Sequence, residues 1–221
     1  MQSANDVACD VLRREGVSQS GFNPEGVHVK HPDKVWIGGE WRAASSGRFI
    51  ELVSPNTEQV VGAVAEADEK DMDAAVSAAR QAFDQGPWPR MSVGERNEIM
   101  KKIVTHLKSR EPELAKAWTA QMGGLASFAP GMVAGATIQV DQTREVGANF
   151  TYVQQRDTPA AATAYVTHEP VGVVASIAPW NGPYGIMASK VANALITGCT
   201  IIMKPSPETP LEAYIIAEAC E

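Results

Sequence analysis

The stretch from Val171 to Pro210 constrains the fold more than any other part of the chain. An apolar run, Val171 to Ala178, ends in Pro179-Trp180-Asn181. A second, Thr200 to Met203, ends in Lys204-Pro205-Ser206. Apolar runs without alternation mark strands buried on both faces, as in a parallel sheet. The segment between them, Gly182 to about Thr197, reads as a helix, and Thr209 to Cys220 as another. A β-α-β-α order calls for a right-handed crossover. Both strands then present polar, reaction-capable groups at their carboxyl ends, where open α/β sheets bind ligands. The expected fold class is α/β.

Upstream, the chain is organised in short pieces. Residues 1–33 carry little pattern, are broken by Gly21, Pro24, Gly26 and Pro32, and read as an extension with a short helix at most. Val35-Trp36-Ile37, Gly38-Gly39 and Glu40-Trp41 read as strand, two-residue turn, strand. Phe49 to Val53 and Gln59 to Ala65 are further strand candidates. Asp68, with Asp71 three positions on, predicts a capped helix with Met72, Val76, Ala79 and Phe83 along one face. Ser92 and Glu95 form a capping-box pair ahead of Ile99-Met100, Ile103-Val104 and Leu107. A third helix starts near Pro112, is lined by Leu114, Trp118 and Met122, and stops at Gly123-Gly124. A fourth, from about Gly131 to Tyr152, shares Val133, Val140 and Gly147 on one face. Ala162 to Glu169 alternates as a strand does.

Composition narrows the function classes. The 221 residues carry 19 Lys and Arg against 26 Asp and Glu, a net charge of −7, with the basic residues scattered. A nucleic-acid binder shows a basic stripe, so no nucleic-acid partner is expected. No apolar run approaches the ~20 residues of a membrane span, and the N-terminus lacks the apolar core of a secretory signal. Cys9, Cys199 and Cys220 form no metal spacing, so no metal site is expected. The reducing cytoplasm is the expected compartment.

At Asn181 the residues meet a known pattern. Ala178-Pro179-Trp180-Asn181, followed 22 residues after Asn181 by Met203-Lys204-Pro205-Ser206 and then Glu208-Thr209-Pro210-Leu211, resembles the aldehyde dehydrogenase superfamily. The likeness extends back through Ile37-Gly38-Gly39-Glu40-Trp41, Ser54-Pro55-Asn56-Thr57 and the alanine-rich helix after Asp68, over roughly residues 34–221. It implies part of a Rossmann-like nucleotide-binding domain, preceded by antiparallel strands and helices. The implied layout is an extension over 1–33, N-terminal strands and helices over 34–157, an oligomerisation β-arm over 158–169 and the first βαβα of the nucleotide domain over 170–221, with the catalytic domain absent. The family oxidises aldehydes to acids with NAD or NADP. A cysteine thiolate attacks the carbonyl, hydride passes to the nicotinamide, and water hydrolyses the thioester.

The resemblance assigns roles residue by residue. Asn181 looks like the donor to the oxyanion, a neutral amide that points an N–H without titrating; its alternative role is closing the strand-to-helix turn. Ile177, Ala178, Pro179 and Trp180 border the cofactor. Lys204 reaches the adenosine ribose, with Ser206 and Glu208 beside it. Many members carry a Glu three residues after this Lys, where this chain has Pro207. Loss of that carboxylate removes repulsion against a 2′-phosphate and predicts NADP tolerance. Gly182, Ile186 and Ser189 fall on one helical face, which the resemblance places along the substrate tunnel. Two of the three are small, which predicts a wide tunnel for a bulky or branched apolar aldehyde. The β-arm implies a homo-oligomer for the full-length protein.

None of the three cysteines has the context of the family's nucleophile, and the general-base glutamate also falls beyond Glu221 in the family's layout. The chain alone is therefore expected to be inactive. An alternative reading is a non-catalytic truncated product or interaction module of the same fold. Another is a relative that uses the scaffold for a different acyl-group reaction.

Overall fold

Within residues 23–221, the part of the chain that the computed structural model describes, local sequence sets where most elements start and stop. β1 (Val35–Ile37) turns into β2 (Glu40–Arg42) through Gly38 and Gly39, at φ of 65° and 85°. Glycine adopts that left-handed backbone without a Cβ clash. β3 (Phe49–Val53) pairs antiparallel with β4 (Val60–Ala65). Asp68 and Asp71 form a reciprocal capping box on α1 (Glu69–Gln85), and Ser92 and Glu95 another on α2 (Val93–Ser109). α3 (Glu111–Met122) has Pro112 in its first turn and ends on left-handed Gly123. α4 (Ala129–Ala148) follows, then an antiparallel hairpin of β5 (Val153–Thr158) and β6 (Ala161–Thr167). The chain closes with β7 (Val173–Ile177), α5 (Pro183–Ile196), β8 (Thr200–Lys204) and α6 (Leu211–Cys220).

β7 and β8 are parallel and in register, Ser176 against Met203 and Ile177 against Lys204. On one face Ser176 is fully buried and its hydroxyl meets the Met187 sulfur of α5 at 3.0 Å. On the other, the Thr200 hydroxyl donates to the Ala79 carbonyl of α1 at 2.9 Å. The main core gathers Met100 and Leu107 of α2, Val140 of α4, Met187 and Val191 of α5 and Ile215 of α6. Each such side chain contributes about 1.5–3 kcal/mol by leaving water.

Four expectations are corrected. The first concerns the extension over 1–33, which lies outside the described residues as far as residue 22, along with Cys9. Its remainder is a packed strap: Val27 and Val29 are buried, the His28 N–H donates to Glu113 at 2.8 Å and the Lys30 N–H to Glu218 at 2.7 Å. A two-residue alternation is too short to announce a strand. Second, Met72 and Val76 of α1 are exposed. The helix instead turns its alanines, Ala75, Ala78 and Ala79, inward, because small side chains let its backbone reach the sheet. Third, β7 is not buried on both faces. Ala175 and Ile177 are exposed, since α1 meets their face at the amino end of the pair. Fourth, α4 ends at Ala148, where the Asn149 side chain bonds back to the Glu145 carbonyl. A strand then begins at Val153; its VQQRDT sequence lacks an apolar alternation, so its partner alone was legible.

Gly147 of α4 packs tightly against Ile196 of α5: a Cβ there would sit 2.5 Å from its Cγ1. Gly147→Val is expected to destabilise the chain by about 1–3 kcal/mol through overpacking. Combined with Ile196→Ala it should cost less than the sum of the two single changes, as read from denaturant unfolding midpoints.

Candidate active site

The parallel register brings the two motif-bearing strand ends together. Ile177 lies beside Lys204, and the Ala178 N–H donates to the Lys204 carbonyl at 3.2 Å. Ala178 is buried, whereas Ile177, Pro179, Trp180, Asn181 and Lys204 are exposed on the rim. Pro179 and Pro183 bracket the Trp180-Asn181-Gly182 turn, and Gly182 caps α5 without a side-chain hydrogen bond. Among the described residues, the Asn181 side-chain amide and the Lys204 ammonium have no hydrogen-bonding partner, so both remain available to a ligand.

Ser206 and Glu208 also reach this rim. The Ser206 hydroxyl bonds the Glu208 carboxylate, and this, followed by the backbone and, last, the Lys204 charge, holds the carboxyl below its ordinary range. Gly182, Ile186 and Ser189 lie half-buried on one side of α5. Ile186 leans over Gly182, with its Cδ1 3.2 Å from where a glycine Cβ would be. Tyr184, in the first turn of α5, shares a buried hydrogen bond of 2.8 Å with Thr137 of α4. Burial pushes that phenol up to about 12, so it stays protonated.

Several side chains that the sequence reading did not place at the site turn out to hold it. The Trp118 indole N–H of α3 donates to the Asn181 carbonyl at 3.3 Å. The Thr209 hydroxyl donates to the Trp180 carbonyl at 3.2 Å. Lys190 of α5 donates to the Ile177 carbonyl at 2.6 Å. Behind them the Gln121 amide of α3 bonds the carboxyl of Glu212 in α6, and both are buried. Trp118 was legible as a helix-lining residue and Thr209 as part of a motif. Lys190 and the Gln121–Glu212 pair left no local signal.

A cavity of about 570 Å³ lies elsewhere, lined by Phe150, Tyr152, His168, Val171, Ile196 and Cys199 among others. These residues precede β7 and β8 or end α4 and α5, so the cavity sits at the amino end of the parallel pair, away from Asn181. Cys199 is buried there, and Cys220 is half-buried in α6, where desolvation raises its thiol to about 12. Neither thiol reaches the rim. Among the described residues no helix is long and apolar enough to cross a membrane.

An open α/β sheet binds ligands outside the carboxyl ends of its strands, which is where this rim lies. The sequence model of the aldehyde dehydrogenase family matches residues 41–221, and the chain belongs to that family. It is 34% identical over 202 residues to aldehyde dehydrogenase 1 of Tanacetum cinerariifolium, covering 83% of this chain and 37% of that one. It is 31% identical to the geranial dehydrogenase of Castellaniella defragrans, covering 84% and 39%. Its fold matches a crystal structure of mutant aldehyde dehydrogenase C from Pseudomonas syringae with NAD+ and octanal: TM-score 0.80, 34% identity, 88% of this chain and 39% of that one. The betaine aldehyde dehydrogenase of Staphylococcus aureus, with NAD+, gives a TM-score of 0.82 at 27% identity, covering 86% and 38%. The chain thus spans under two-fifths of the length of these relatives.

Burial raises the Glu212 carboxyl from the ordinary 4.5 to about 8, against the smaller opposing pull of its hydrogen bonds. Between those values the unfolded chain releases this proton and the folded chain keeps it. Stability from this group therefore falls as pH rises from about 4.5 to 8 and levels off above. Glu212→Gln is expected to flatten that slope, seen as a smaller loss of unfolding free energy between pH 5 and 8 than in the parent chain.

Proposed function

We propose that this chain supplies the nucleotide-binding rim and oxyanion donor of an enzyme that oxidises an aldehyde to a carboxylic acid, with NAD or NADP, through a thioester. The carrying observation is that, among the described residues, the Asn181 amide in the turn after β7 and the Lys204 ammonium at the end of β8 have no hydrogen-bonding partner. An exposed ammonium beside the exposed apolar side chain of Ile177 suits a nucleotide, whose anionic and flat apolar parts need both. Lys204, Ser206 and Glu208 would hold its adenosine ribose, the backbone of Ile177 and Ala178 would lie along the nucleotide, and Pro179 and Trp180 would border its nicotinamide end. When bound, the nicotinamide supplies the hydride acceptor. Asn181 donates from its amide to the carbonyl oxygen as negative charge develops there, and Lys190 and Thr209 hold the backbone ahead of it at the Ile177 and Trp180 carbonyls. The nucleophilic thiol and the general-base carboxylate come from residues outside this chain.

The test is Asn181→Ala in the complete enzyme. It should lower kcat/KM for aldehyde by about 10²–10³, with cofactor affinity unchanged, and purified residues 1–221 alone should give no turnover. Wild-type kcat/KM in the variant, or turnover by the isolated chain, would overturn the reading.

The finer specificity follows from the same rim. Pro207 stands where many members have a carboxylate, and Glu208 is engaged by Ser206, so NADP is accepted beside NAD. Small Gly182 and Ser189 leave room for a bulky or branched apolar aldehyde. Initial rates with each cofactor against acetaldehyde and branched aldehydes test both; strong NAD preference or a preference for acetaldehyde counts against them. The exposed β5–β6 hairpin, with Tyr165 and Val166 facing solvent, would pair between copies in a cytoplasmic homo-oligomer.

A further inference from the structure

We infer that Trp118 is a positioning residue for Asn181, acting through the hydrogen bond from its indole N–H to the Asn181 carbonyl. This rests on Asn181 being the oxyanion donor. The turn that carries Asn181 has few ties of its own. Pro179 and Pro183 contribute no N–H, Gly182 has no side-chain cap, and Trp180 and Asn181 are exposed. What fixes the turn comes from outside it: the Asn181 carbonyl is held by Trp118 of α3 at 3.3 Å, and the Trp180 carbonyl by the Thr209 hydroxyl at 3.2 Å. Two successive carbonyls are thus pinned from two different elements.

Those elements are themselves locked together. Gln121, one turn after Trp118, donates from its side-chain amide to the buried Glu212 carboxyl, and its side-chain Oε1 accepts from the Leu211 N–H at 3.4 Å. Leu211 is two residues from Thr209. The indole also packs closely against Gly124, where a Cβ would sit 2.0 Å from its Cζ3. A donor amide is useful only where its aim is fixed before reaction, and misplacement by about 1 Å can cost about 10² in rate. Trp118 and Thr209 supply that fixing, Trp118 directly at Asn181 and Thr209 at the residue before it.

The experiment is a double-mutant cycle in the complete enzyme. Trp118→Phe removes the donor together with part of the ring that packs on Gly124, so the cycle rather than the single variant isolates the hydrogen bond. It should lower kcat/KM for aldehyde by about tenfold, the worth of one hydrogen bond, with the NAD+ dissociation constant unchanged. In an Asn181→Ala background the same change should have no further effect. An equal loss in both backgrounds, or none in either, overturns the positioning role. Should Trp118→Phe fail to fold, Thr209→Val carries the same cycle with the same expected outcome. If Asn181→Ala itself retains wild-type kcat/KM, the reading of the site falls and the positioning role with it. If Asn181→Ala is impaired and Trp118→Phe and Thr209→Val are not, only the positioning role falls.

Discussion

The parallel pairing of β7 with β8 is the constraint from which the rest of the molecule follows. Parallel neighbours cannot be joined by a tight turn, so α5 must run back along the sheet between them. That crossover returns the chain to the same edge and leaves both strand ends, Ile177 and Lys204, on one rim. The pair also needs cover on two faces. α5 supplies one through Met187, and α1 the other through the alanines that let Thr200 reach the Ala79 carbonyl. α2 and α4 then pack on α5, and α6 closes the core beside them. Ala175 and Ile177 stay exposed because no described element reaches over the carboxyl half of that face.

The two ends of the sheet differ in kind. At the carboxyl end, groups with hydrogen-bonding capacity face outward: the Asn181 amide, the Lys204 ammonium and the Ser206–Glu208 pair. At the amino end the lining is aromatic and aliphatic, with Phe150, Tyr152 and His168 in edge-on contact beside the apolar cavity. The first end offers polar groups to solvent, and the second offers apolar surface and the exposed hairpin.

Local chemistry was readable and distant chemistry was not. Both capping boxes, the Gly38-Gly39 turn, the stop at Gly123 and the strand-end motifs are all decided within a few residues of themselves, so spacing reveals them. The strand-end placement of Lys204 and the turn placement of Asn181 were readable for the same reason. What escaped lies in contacts between residues far apart in sequence: Trp118 with Asn181, Gln121 with Glu212, and the Val27–Lys30 strap tied to α3 and α6. No periodicity encodes which of two helix faces meets an alanine-tolerant sheet, so Met72 and Val76 read as core and proved exposed. β5 escaped because a strand whose residues are nearly all polar or exposed has no pattern to show, and only its pairing with β6 defines it.

The buried Glu212–Gln121 bond sharpens the question of why polar groups are kept in the seam behind the site. A buried carboxyl is costly when charged, and this one has a single side-chain partner, with Oε1 left without any. Two apolar side chains of the same shape would hold α3 to α6 as firmly, since replacing both partners of a buried hydrogen bond is often close to neutral. They would not fix the sliding register of one helix along the other, because dispersion contacts are non-directional. A hydrogen bond is directional, and here it sets the height of Trp118 relative to Thr209, the two donors that hold consecutive carbonyls of one turn. Keeping the carboxyl protonated avoids an uncompensated charge beneath a rim that already carries Lys204 and Glu208. The seam therefore trades a little stability for a defined register, at the place where register decides where an exposed amide points.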